Sequence, residues 1–231
     1  SVTDDTGTDG SDGITSDQTL VFAGTAAANS TVQVFIDGGS IGTTTAGVGG
    51  AWSFDHTGTT LTAGSYTVTA TATDGAGNTS SASGGFAITI DSTAPTAPTG
   101  TLSVDEDVTT AGQSVGTVSA SDANTFTYDL TDDGGGRFQI DANTGAITTL
   151  GTPSFDHETE PSIDVTVRAT DAAGNATSNT LSVSVNDVNE APTLGGTPAD
   201  TTVDEDVTTA IDLSAYALDD PEGDSLTLTL A

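Results

Sequence analysis

The sequence predicts an all-β chain built as tandem Greek-key β-sandwiches in an extended rod. Three observations predict it. Apolar and polar residues alternate with a period of two along many short stretches. Several segments recur 97 to 99 positions apart, close to the roughly 100 residues of one sandwich. No stretch carries a helical period, and Ser214 to Leu218 allows one helical turn at most.

The alternation is clearest in four places. Val32, Val34 and Ile36 alternate with Thr31, Gln33 and Phe35, and after Asp37-Gly38-Gly39-Ser40 a second run follows from Ile41 to Thr45, which is a hairpin signal. Tyr66, Val68, Ala70 and Ala72 alternate with threonines from Thr67 to Thr73. Ile163, Val165, Val167 and Ala169 form a third run, and Leu181, Val183 and Val185 a fourth. Phe138-Gln139-Ile140 and Ala146-Ile147-Thr148 flank Asp141 to Gly145 as another hairpin.

The repeats set the domain count. Val104 to Ala111 (VDEDVTTA) recurs from Val203 to Ala210, 99 positions on, and Asp74-Gly75-Ala76-Gly77-Asn78 recurs as Asp171-Ala172-Ala173-Gly174-Asn175, 97 positions on. Thr93 to Gly100 (TAPTAPTG) and Asp187 to Thr193 (DVNEAPT) read as linkers. The expected domains are therefore 1–93, 94–192 and an incomplete third, 193–231. That remainder supplies two or three strands, too few for a sandwich of its own. Its run Leu226 to Leu230 (LTLTL) would be a sticky edge unless paired. The 231 residues look like a segment of a longer protein.

Charge excludes whole classes of function. There are 33 Asp plus Glu against two basic residues, Arg137 and Arg168, for a net charge of −31. No basic face for nucleic acid can be assembled, and an anionic membrane surface is excluded for the same reason. A compact chain so charged repels itself, and divalent cations are the natural remedy. There is no Cys, so neither disulfides nor thiol chemistry are available. No apolar run reaches the length of a membrane helix, and the N-terminus is no signal peptide.

Some motifs carry a resemblance. Val104-Asp105-Glu106, the FQIDANTGAI hairpin, Phe155-Asp156-His157-Glu158, Ala169-Thr170-Asp171 and Asp187-Val188-Asn189-Glu190-Ala191-Pro192 stand in order, and together residues 100–192 resemble a cadherin-like repeat. Ser11-Asp12-Gly13-Ile14-Thr15, Ala51-Trp52-Ser53-Phe54 and the Asp74 to Asn78 turn make residues 1–93 similar to bacterial Ig-like repeats of giant surface adhesins. Asp219-Asp220-Pro221-Glu222-Gly223-Asp224 resembles the start of a further cadherin-like domain. The resemblance implies a calcium-stiffened extender of a large secreted bacterial adhesin of the RTX kind, exported by the type I route to the cell surface and serving adhesion and biofilm. Its implied partners are Ca2+, neighbouring domains of the same protein and, through the parent protein, glycans or other cell surfaces.

The resemblance also implies ligands. Glu106, Asp156 and Glu158 would sit at the base of the second domain, Asp187, Asn189 and Glu190 in the linker, and Asp219, Asp220 or Asp224 at the top of the third. At the first junction Asp91 would be met by Asp122 and Asp171. Asp74 would hold the corresponding place at the top of the first domain, with the loop bearing Asp4, Asp5, Asp9 and Asp12 beside it. Glu190 replaces the Asp usual in such linkers. Calcium suits these residues because it takes six to eight oxygen ligands without strict geometry. The bland account of each cluster is a solvated acidic loop. Neither an EF-hand, since Ser16 stands where its last Glu belongs, nor the RTX nonapeptide is present.

Other chemistries find little support. His56 and His157 fall one to a domain and make no two-His site, and His157 is expected to face water. Nothing resembles a nucleophile elbow, and no enzyme is expected. Asp132 to Gly136 reads as a plain turn, and the Thr67 to Thr73 ladder as strand preference. The rival reading is a carbohydrate-binding accessory module of a polysaccharide-degrading protein, which requires exposed aromatics such as Trp52 and Tyr128 on one face.

Overall fold

The computed structural model describes residues 1–3, 5–195, 217–223 and 225–227. Asp4, Asp224, the recurring segment 203–210 and most of the LTLTL run lie outside the described residues. All regular elements described are strands, and no helix among them is long and apolar enough to cross a membrane.

The first unit holds β1 (Ile14–Thr15), β2 (Val21–Thr25), β3 (Thr31–Ile36), β4 (Gly39–Thr45), β5 (Ala51–Asp55), β6 (Gly64–Thr73) and β7 (Phe86–Ile90). One sheet has the order β1-β7-β6-β3-β4, and β2 pairs β5 in the facing sheet. The β3–β4 turn is tighter than the sequence suggested. Asp37 and Gly38 both adopt positive φ, 48° and 78°, so two residues suffice and β4 begins at Gly39. Inward residues of the alternating runs meet as a core of Leu20, Phe22, Val32, Val34, Ala46, Val68, Ile88 and Ile90. Trp52 packs against this core half-buried.

The second unit holds β8 (Leu102–Asp105), β9 (Ser114–Thr117), β10 (Phe126–Asp132), β11 (Phe138–Ile140), β12 (Ala146–Thr149), β13 (Ser162–Asp171) and β14 (Ala176–Asn186). They hydrogen-bond in the order β10-β13-β14-β8-β9-β12-β11. β8 runs parallel to β14 and touches β9 only at Leu102–Gly116, so it is the seam at which one sheet passes into the other. Residues from both ends of that order, Tyr128 and Phe138 among them, share one core. The sheet therefore closes on itself as a sandwich. Its core holds 14 buried residues against 8 in the first. Each large one is worth about 1.5–3 kcal/mol in burial.

Beyond the second linker, β15 (Thr193–Gly195) pairs antiparallel with β16 (Ala217–Asp219). Ala217 and Leu218 are thus extended rather than in the helical turn the sequence allowed. Asp132 and Asp133 cap a glycine turn, as read, through Gly134 N–H (3.1 Å) and Gly136 N–H (2.7 Å).

Candidate metal centres at the two junctions

β7 ends at Ile90, and the next residue, Asp91, is buried. Its backbone N–H is held by the Thr15 carbonyl at 2.9 Å, which fixes where the chain leaves the first unit. Asp171 ends β13 and is 1% exposed, and Asp122 sits in the turn before β10. The carboxylates of Asp91, Asp122 and Asp171 offer ligand atoms all within 4.8 Å of one another. Amides hold them in place. Asn175 donates its Nδ2 to both Asp91 O and Asp171 Oδ2, each at 2.9 Å, and Asn124 donates its amide to Asp91 Oδ2.

No cation of the chain offsets this cluster. The two guanidiniums are used elsewhere, Arg137 on Glu160 and Arg168 on Asp129, and the N-terminal ammonium is bound to the Ala23 carbonyl. Two like unit charges at such separations cost about 1 kcal/mol in water and about 4 at an effective dielectric of 20.

The acidic loop before β1 lies elsewhere than the sequence suggested. It was expected beside Asp74. Residues 1–3 pair with β2, whereas Ile14–Thr15 pair with the far end of β7, so the chain traverses the sandwich in between. The loop is thereby carried to the Asp91 end and docks on the second unit, with Thr8 N–H on the Ala172 carbonyl at 3.2 Å. Its carboxylates do not form a cluster among the described residues. Each closes the loop instead. Asp5 Oδ2 accepts Gly13 N–H (2.9 Å), Asp9 Oδ1 accepts Ser11 N–H (3.0 Å) and Asp12 Oδ1 accepts Ile14 N–H (2.8 Å). Among the described carboxylate oxygens of this loop, Asp5 Oδ1 is buried with no hydrogen-bond partner. Asp74 also stands apart, exposed and closing its turn with Asn78, whose amide holds the carboxyl below its ordinary range.

At the second junction Glu106 is 4% exposed. Backbone N–H groups of His157 (2.6 Å) and Val188 donate to its two oxygens and hold it below the usual carboxylate range. His157 does not face water freely, because its Nδ1 lies 2.7 Å from the Val185 carbonyl and that contact raises its pKa. Glu106, Asp156 and Glu158 form one carboxylate group, and Glu158, Asp187 and Glu222 another. Glu222 was not anticipated. It accepts Glu190 N–H at 2.7 Å, and its other oxygen is buried without a partner. Burial, then Glu106, then Glu222 push the Glu190 carboxyl up. Asp219 and Asp220 line the same hollow as Asp156, Glu158 and Glu190, while Asn189 turns its amide to the Glu190 carbonyl (2.8 Å).

The aromatic pair required by the carbohydrate reading is not on one face. Tyr128 is buried in the second core, its hydroxyl accepting Ala120 N–H at 2.8 Å, and Trp52 belongs to the first unit.

Residues 1–92 match the family described as Bacterial Ig-like domain, and residues 101–186 the Cadherin domain. No curated protein matches the chain. Similar solved structures include the human desmocollin-1 ectodomain, 19% identical, covering 90% of this chain and 44% of that one, with a TM-score of 0.41. Fibronectin(III)-like modules of Clostridium thermocellum CbhA are 14% identical, cover 80% of this chain and 93% of theirs, and give a TM-score of 0.45. The chain thus spans less than half the length of the desmocollin ectodomain. The chain carries Ig-like and cadherin-like β-sandwich repeats, domain types that serve as extracellular adhesion and spacer modules.

Proposed function

We propose that this chain is a calcium-rigidified extender segment of a bacterial surface adhesin, exported by the type I route and acting in adhesion and biofilm. Its units would be 1–93, 94–192 and the start of a third at 193–231. The observation that carries this reading is the set Asp91, Asp122 and Asp171, three carboxylates gathered where the two units meet with no basic side chain to offset them. The donor set fits a hard divalent cation, since every ligand is oxygen, and the orphaned oxygens of Asp5 and Glu222 mark the same two regions.

Asp91, Asp122 and Asp171 would hold an ion at the first junction. Glu106, Asp156, Glu158, Asp187 and Glu222 would hold one or more at the second, with Asp219, Asp220, Asn189 and Glu190 around them. Bound calcium supplies positive charge and shared ligation across the linker. The chain's own part is to fix the ligands in advance, through Asn175 on Asp91 and Asp171 and through Val188 and His157 on Glu106. The activity is mechanical: ordered linkers keep successive sandwiches in line, and no catalysis is involved.

Small-angle X-ray scattering with millimolar calcium and then with excess chelator, paired with melting curves, tests this. Extension and a raised melting temperature in calcium are expected. Identical dimensions and melting in both buffers would sink the reading.

A further inference from the structure

The two junctions differ in how far their carboxylates are shielded from water. At the second, Glu106 is buried, but Asp156, Glu158 and Asp187 are exposed. At the first, Asp171 is 1% exposed, Asp91 is 6% exposed and Asp122 is half-buried. The loop before β1 is the segment that crosses this first junction.

On the first unit the loop is anchored at Thr15, whose carbonyl holds Asp91 N–H at 2.9 Å. Thr15 is 1% exposed, and its hydroxyl accepts Thr6 N–H at 3.1 Å and lies 2.8 Å from the Thr6 hydroxyl. On the second unit the loop is seated on the turn that follows Asp171. Thr8 N–H donates to the Ala172 carbonyl at 3.2 Å, and a β-carbon at Gly7 would collide with that same carbonyl. A β-carbon at Gly174 would stand 3.5 Å from the Gly7 Cα. Ala173, between these contacts, is 0% exposed although it belongs to neither hydrophobic core.

Three successive residues thus bridge the site. Thr6 adjoins the residue bonded to Asp91, while Gly7 and Thr8 adjoin the residues that follow Asp171. Only glycine fits at Gly7, because the two backbones approach without room for a side chain. The loop holds this course by its own bonds, Asp5 closing on Gly13 and Asp12 on Ile14, where β1 begins. The buried Oδ1 of Asp5 leaves one acceptor unused in the same loop.

We propose that residues 5–13 are a strap over the cation site of Asp91, Asp122 and Asp171, so that an ion there exchanges slowly while ions at the second junction exchange freely. An ion enters or leaves the first site when Gly7 and Thr8 lift from the 171–175 turn. The strap rests on the calcium reading and adds an order of release to it: when calcium falls, the second linker loosens before the first.

The test mixes the calcium-loaded chain with an excess of a fluorescent chelator and follows release, with calorimetry to measure uptake. Two phases are expected, their rates about tenfold or more apart. Asp122→Asn, which removes a charge at the first junction alone, should quicken or abolish the slow phase and so identify it. Gly7→Val cannot seat against Ala172, and Thr8→Pro lacks the donated N–H. Each should quicken the slow phase about tenfold and leave the fast phase unchanged. In calcium the Thr8 amide should exchange about tenfold faster in Gly7→Val than in the parent. Emission of Trp52, the only tryptophan, reports that the first unit of each variant is folded, and either variant suffices. Calorimetry without calcium uptake would overturn the calcium reading and the strap with it. The strap alone is overturned by uptake with a single release rate, by a slow phase that Asp122→Asn leaves in place or that no folded strap variant quickens, or by Thr8 exchange equal in parent and Gly7→Val.

Discussion

The carboxylate of Glu106, at the end of β8, accepts the backbone N–H of Val188 in the second linker while its other oxygen accepts that of His157. One side chain thus ties together the base strand, the β12–β13 connection and the exit of the chain. Glu158 belongs to the same carboxylate group but is exposed. Glu106→Gln and Glu158→Gln are therefore expected to differ. An amide can accept only one of the two N–H groups and turns its own NH2 against the other. E106Q lowers the melting temperature even in chelator, whereas E158Q leaves it unchanged there. Both shrink the rise that calcium produces. Melting curves of the two variants in both buffers check this.

At the first junction the useful substitution is Asp122→Asn, because Asp122 Oδ1 accepts Asn124 N–H at 2.8 Å and an amide oxygen keeps that bond. Removing one charge relieves repulsion with Asp91 and Asp171. In chelator D122N should melt at or above the parent temperature. In calcium it should melt lower, with affinity at this site weakened about tenfold or more, since one unit-charge contact is worth about 1–4 kcal/mol between water and an effective dielectric of 20. Calorimetric titration and paired melts read both signs. A variant that melts lower in both buffers would assign Asp122 a purely structural role.

The strands were legible because apolar and polar residues alternate along them, most fully in β13, which buries Ile163, Val165, Val167 and Ala169. The Asp91, Asp122 and Asp171 set was legible from the repeat and the resemblance together. What the sequence hid depended on pairing at a distance. The loop carrying Asp5 and Asp9 could be placed only once β1 was seen parallel to the end of β7. Glu222 was passed over because its neighbours are aspartates of a familiar pattern; its role rests on the turn after β16, which brings it to Glu190 N–H.

The last prediction concerns the two arginines. Arg137 donates two bonds to Glu160 and a third, at 2.6 Å, to the Gly134 carbonyl, and its guanidinium lies 5.9 Å from the Phe155 ring centroid. Arg168 makes a forked pair with Asp129, but both side chains are more than 40% exposed. Arg137→Ala is expected to cost about 1–2 kcal/mol, allowing for the half-exposed Glu160, and Arg168→Ala to leave stability nearly unchanged. The pair with Arg137 holds the Glu160 carboxyl below its ordinary range. A carboxylate depressed in the folded state stabilises above its unfolded pKa, about 4.3 for Glu, and that contribution is lost as pH falls through the lower folded value. R137A should therefore approach the parent in stability as pH drops below about 4, while the gap stays constant from neutral pH down to that point. Urea unfolding at several pH values measures the gap, and a gap that persists undiminished into acid would assign Arg137's contribution to its contacts with Gly134 and Phe155 rather than to Glu160.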